Sequence, residues 1–81
     1  MYQTIAEPIA VIGVYDHGNF VPRKLKWKEQ VLRVDQITMF SDLREGQTRK
    51  RMYSLVCKGN LYRVLFNRDR ETWTLEEVWL E

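Results

Sequence analysis

The stretch MYSLVCKGNLYRVLF, residues 52–66, decides the fold. Two apolar runs flank Lys58-Gly59-Asn60. Gly-Asn between such runs is a strong hairpin signal, because Gly takes the φ > 0 position that a tight turn needs. With Gly59 and Asn60 at the turn, Cys57 faces Tyr62, Leu55 faces Val64 and Tyr53 faces Phe66. All six lie on one face, as a buried sheet face requires.

Downstream, the polar connection Asn67 to Thr72 leads to a last strand. There Trp73 is expected opposite Phe66, Leu75 opposite Val64 and Glu76 opposite Arg63. Upstream, Lys24-Leu25-Lys26-Trp27-Lys28 is the clearest period-2 stretch. Leu25 and Trp27 point one way and the three lysines the other. A two-residue turn at Glu29-Gln30 or a four-residue loop over 28–31 gives one register, with Trp27 opposite Leu32, Leu25 opposite Val34, Lys26 opposite Arg33 and Lys24 opposite Asp35. Before it, Ile9 to Tyr15 is a β-branched run that follows Pro8 and reads as a strand. A turn at His17-Gly18 pairs Val14 with Val21, Ile12 with Arg23 and Ala10 with Leu25, turning Ile12 and Val14 inward. Pro22 donates no backbone bond and marks an edge, a bulge or an outward pair. Residues 1–7 read as a loose arm or a first edge. Residues 41–47 read as one helical turn stopped by Gly46 or as a flexible hairpin tip.

Together these give an all-β domain spanning 1–81, with five or six antiparallel strands in a meander. The strands fall at about 8–15, 20–28, 31–40, 49–58, 61–67 and 73–80, the fourth and fifth forming the hairpin of residues 52–66. A flat sheet of this size would leave one face and two edges open, so the expectation is a small partly closed barrel or roll, SH3-like in size. At 81 residues there is room for one core only.

Charge is unevenly placed. All 13 Lys and Arg fall between Arg23 and Arg70, against five acids there, while the flanks hold six acids and no Lys or Arg. The net charge of +2 is too small to imply a partner by itself. One cysteine, Cys57, excludes an internal disulfide and fits a reducing, cytoplasmic setting. The start, Met1-Tyr2-Gln3-Thr4, has no basic region leading into a long apolar stretch, so no signal peptide is expected. No apolar run is long enough for a membrane-spanning helix.

Catalytic signatures are lacking. His17 sits in a turn beside Asp16, with no Ser or Cys nucleophile near in sequence. Cys57 faces inward opposite Tyr62 and reads as core packing. One His and one Cys make no metal site, and no phosphate loop or dinucleotide fingerprint is present. A non-enzyme without cofactor or metal is expected.

Two binding surfaces stand out instead. Lys24, Lys26 and Lys28, with Arg33 across from them, share an outer strand face. Arg23 precedes them, and Arg49, Lys50 and Arg51 are near in sequence. Such spacing tracks phosphates, and Phe20 and Tyr15 on that face would stack on bases. The bland alternative is solvation, since edge lysines also guard against strand pairing. Second, Met52, Val56, Leu61, Leu65, Val78 and Leu80 land on the outer side of the last strands. That apolar patch is covered either by Ile5, Ile9 and Val11 on barrel closure, or by a protein partner or second copy.

The order of features also resembles a known group. Glu7-Pro8-Ile9, Leu25-x-Trp27, Val31-Leu32-Arg33-Val34, Gly59-Asn60-Leu61-Tyr62 and Trp73-x-Leu75-x-x-Val78-Trp79 are similar to the E-P-I … W … Y-x-V … W-x-L-x-x-V pattern of a family of small uncharacterised bacterial domains. That family is associated with translesion DNA polymerase components, and it often carries a tryptophan-rich middle where this chain has Met39-Phe40-Ser41-Asp42-Leu43. The resemblance implies a bacterial cytosolic domain, an accessory to DNA handling, and carries over no site residues.

Overall fold

The computed structural model describes residues 1–80. Its seven strands are β1 (Tyr2–Asp16), β2 (Asn19–Trp27), β3 (Gln30–Arg33), β4 (Gln36–Glu45), β5 (Thr48–Cys57), β6 (Asn60–Asn67) and β7 (Thr72–Trp79). All pairs are antiparallel, in the order β3-β2-β1-β7-β6-β5-β4. The one strand beyond the expected six comes from a break in the third of them. The run 31–40 breaks at Val34-Asp35 into β3 and β4, and residues 41–45 extend β4 as strand rather than forming a helical turn, leaving Gly46-Gln47 as the tip of the β4–β5 hairpin. The amino-terminal residues are not a loose arm either: Tyr2, Gln3 and Thr4 pair with Trp79, Val78 and Glu77.

The topology dictates the curl. β3 and β4 are opposite edges of the sheet, yet only Val34 and Asp35 join them. Six steps of about 4.8 Å would separate these edges by roughly 29 Å in a flat sheet, and two linking residues span only about 10 Å. The sheet therefore bends into a half-barrel. The linker's own bonds mark the corner: Val34 N–H donates to the Arg23 carbonyl of β2, and Asp35 N–H donates to the Val56 carbonyl of β5.

Turn chemistry sets the registers. Three hairpins use two central residues at positive φ: His17 and Gly18 (53° and 81°), Lys28 and Glu29 (51° and 63°), and Lys58 and Gly59 (50° and 80°). This is the twist-matched primed geometry. At the third turn Lys58 takes the place expected for Asn60, so Cys57 pairs with Asn60, Leu55 with Tyr62 and Tyr53 with Val64. The β2–β3 turn is centred on Lys28-Glu29 rather than on Glu29-Gln30, so Leu25 pairs with Leu32 and Lys24 with Arg33. Each register slips by two, which preserves the face of every side chain.

Bulges do change faces. Between Ile12 and Gly13 the pairing jumps: Val14 opposes Val21 as expected, but Ile12 opposes Lys24 and Val11 opposes Leu25. Ile12 and Val14 are therefore on the convex side, 65% and 46% exposed, and Ile5, Ile9 and Val11 pack on the core. A second bulge sets Glu77, not Glu76, opposite Arg63 and turns Val78 inward, where it is 2% exposed. The core comprises Leu25, Leu32, Tyr53, Leu55, Cys57, Tyr62, Val64, Leu75 and Val78. Each large side chain buried this way contributes roughly 1.5–3 kcal/mol of transfer free energy.

Candidate functional site

The cations separate into two populations. On β5 all three are engaged. Arg49 reaches Asp69 through its backbone N–H and its Nε, both at 3.2 Å, Lys50 Nζ lies 2.9 Å from Glu45, and Arg51 Nε lies 2.6 Å from Asp42. The Asp42 carboxyl is held below the usual carboxylate range, chiefly by its hydrogen bond from Arg51. Arg49, Lys50 and Arg51 are thus not a free basic patch, although the sequence places them near the lysines. Lone positive charge was expected from counting residues, and the acids that neutralise it come from β4 and the β6–β7 turn.

On β2 and β3 the reverse holds. Among the described residues, Arg23, Lys24, Lys26, Lys28 and Arg33 make no ion pair with a carboxylate. Lys24 and Arg33 sit directly opposite each other, both exposed. Asp35, expected across from Lys24, instead accepts from the Lys58 N–H at 3.1 Å. Lys28 Nζ lies 5.0 Å from the Trp27 ring centre. Exposed Ile12 and Val31 flank Lys24 and Lys26 on the same convex face.

The seam of the half-barrel forms a cleft of about 550 Å³. Asn19, Phe20 and Val21 of β2 line one side and Ile37 to Phe40 of β4 the other, with Asp16 of β1, Arg51 and Tyr53 completing it. A groove of about 140 Å³ continues past Val21 and Ile37 to Arg23 and Asp35. Rings cluster at this end of the fold. Trp73 contacts Phe66, Tyr53 and Phe20 at centroid distances of 4.7, 5.4 and 5.6 Å. The Tyr53 hydroxyl donates to the Phe20 carbonyl at 3.3 Å, tying β5 to β2 across the seam. Phe20 therefore belongs to this inward cluster and not to the outer basic face; Tyr15, in edge contact with it, is the exposed one. Nothing in the sequence marked Met39 and Phe40 as site residues, because the wall that faces them comes from β2, distant in the chain.

The apolar patch of the last strands is only partly as expected. Val78 lies in the core and Leu80 packs against it. Val56 and Leu61 remain half-buried on the convex side, with Leu65 more deeply enclosed beside them, and Ile5, Ile9 and Val11 do not cover them.

His17 is exposed in its turn, 2.8 Å from Asp16. Burial pushes the Cys57 thiol up to about 11, and the Asp35 carboxylate adds to the shift. No group of His, Cys, Asp or Glu among the described residues is placed to hold a metal ion, and none of the described elements is a helix able to cross a membrane. No protein-family model, curated protein or solved structure matches the chain.

Proposed function

We propose that this chain is a non-catalytic binding module that holds a nucleic-acid backbone weakly, and without sequence preference, along β2 and β3. The contrast in pairing carries the reading. Among the described residues, five cations on one hairpin lack carboxylate partners, while the β5 cations have them. Lys24 and Arg33 repel each other across the strands, and a phosphate between them relieves that repulsion. A place beside DNA-handling machinery in a bacterial cytoplasm belongs to the same reading.

The test is the anisotropy of a labelled single strand of about 20 nucleotides, long enough for one small barrel. Binding at low salt that fades at moderate salt is expected, and the pair Lys24→Glu with Lys26→Glu should abolish it while the far-UV spectrum is unchanged. No binding at low salt sinks the reading.

A second reading is a protein-interaction or homodimer surface on the convex face around Val56, Leu61 and Leu65. It is favoured by one observation: the residues expected to cover that face lie in the core. It requires a mass that rises with concentration and persists in high salt, and Leu61→Glu should restore the monomer.

A further inference from the structure

The seam cleft is a second site, distinct from the lysine face, and it deepens the nucleic-acid reading on which it rests. We infer that it takes an unstacked nucleobase of the strand whose backbone lies on the β2–β3 cations. Its volume, about 550 Å³, lies within the span of small-ligand sites, roughly 300–1,000 Å³.

Phe40 is the platform. It stands on an edge strand, 54% exposed, with its ring stacked on Tyr53 at 6.0 Å and 28°. Arg51 lies 5.6 Å from the Phe40 ring centre and is itself fixed by Asp42 through two hydrogen bonds. The ring is therefore held in place before any ligand arrives, with much of its surface open. Aromatic rings of this kind stack on any base, because every base has a π-face, and a guanidinium plane serves likewise. Asn19 and Thr38 supply polar atoms that can meet base edges without selecting one.

Charge complementarity decides the class of occupant. The cleft continues along the seam to Arg23 and to Asp35, whose carboxylate accepts from the Lys58 N–H, with Lys24 next to Arg23 on the same strand and Arg33 across from Lys24. None of Arg23, Lys24 and Arg33 is neutralised by a carboxylate among the described residues. An aromatic side chain of a protein partner would fill the cleft but leave these cations without counter-charge. A nucleotide seated on Phe40 sends its phosphates toward them.

The experiment compares two labelled strands of equal length, oligothymidylate and its fully abasic counterpart, at low salt. Each is titrated with the native chain and with Phe40→Ala. Phe40 is more than half exposed, so the variant should fold, and far-UV circular dichroism checks it; Phe40→Tyr keeps a ring and serves as the second variant. The abasic strand should bind the native chain about tenfold more weakly than oligothymidylate. Phe40→Ala should erase that difference and Phe40→Tyr should retain it. Equal binding of the two strands by the native chain overturns the base site while leaving the backbone reading intact. A preference for bases that survives Phe40→Ala overturns the assignment to this cleft. Failure of both strands to bind overturns the inference together with the reading beneath it.

Discussion

The indole Nε1 of Trp27 donates a hydrogen bond to the Glu7 carboxylate, with 3.1 Å between them. Glu7 points toward the concave side of β1, between Ile5 and Ile9, just past a bulge where Ala6 takes φ 55°. The bond thus fastens the longest strand to the hairpin that bears Arg23, Lys24, Lys26, Lys28 and Arg33. Glu7→Ala leaves a half-buried indole N–H unpaired and should lower stability by about 1–2 kcal/mol. Glu7→Gln keeps an acceptor and should lose less. Urea unfolding of both variants, and of Trp27→Phe with and without Glu7→Ala, isolates the coupling. Additive losses would show that the two residues do not act together.

At Gly13 the β2 backbone approaches β1 closely. A Cβ there would collide with the Val21 carbonyl oxygen and the Phe20 ring. Backbone cannot yield as a flexible side chain can, so Gly13→Ala should destabilise by about 1–3 kcal/mol, as overpacking does. It should also shift Phe20, and with it one wall of the seam cleft. Gly46, by contrast, has open space around it and only its φ of 63° to satisfy, so Gly46→Ala should lose about 1 kcal/mol. Denaturant midpoints for the two variants check the order; equal losses would mean that the close approach is not the constraint.

These two residues also show how far the sequence could be read. Alternation placed Leu25, Trp27, Leu55, Tyr62, Val64 and Leu75 on the core face, and the structure agrees. Two-residue errors in register did no harm, because a strand repeats every two residues. Single-residue bulges did, since each inverts everything beyond it. Ile12 and Val14 went to solvent and Val78 to the core for that reason. Pro22 hinted at the first bulge, but Gly13 opposite it carried no separate signal. The lysine face was legible from spacing alone. The seam cleft was not, because its walls come from β2 and β4, which meet only when a seven-stranded sheet curls.

Asp42 links β4 to β5 through Arg51 and also lies 3.8 Å from Arg68. Its carboxyl is held below the ordinary Asp value by the Arg51 hydrogen bond, and Asp69 is held down by the Arg49 backbone N–H. A depressed folded-state pKa contributes stability that is present above the unfolded value, about 3.9 for Asp, and is lost as pH falls through the folded value. Stability should therefore decline below about pH 4, and Asp42→Asn should be weaker at neutral pH with a shallower acid decline. Thermal melts from pH 7 down to pH 2 test this. An acid limb of unchanged slope in Asp42→Asn would remove the pair from the explanation. Both carboxylates are solvent-accessible, so high salt should shrink the effect.

Cys57 works in the opposite sense. Its side chain is fully enclosed beside Tyr62, and burial with the nearby Asp35 charge pushes the thiol up to about 11. A raised folded-state value keeps the proton on when the unfolded chain would release it. The contribution is complete below the unfolded value, about 8.5, and is lost as pH rises toward 11. At pH 8 the folded thiol should resist an aromatic disulfide reagent and react fully in concentrated urea, because the thiolate is the nucleophile and little of it forms. Cys57→Ala should unfold at lower denaturant by about 1–2 kcal/mol through lost packing, and should flatten the alkaline decline of stability. Rapid labelling of the native chain at pH 8, at a rate independent of denaturant, would mean that this end of the core opens far more often than its packing implies.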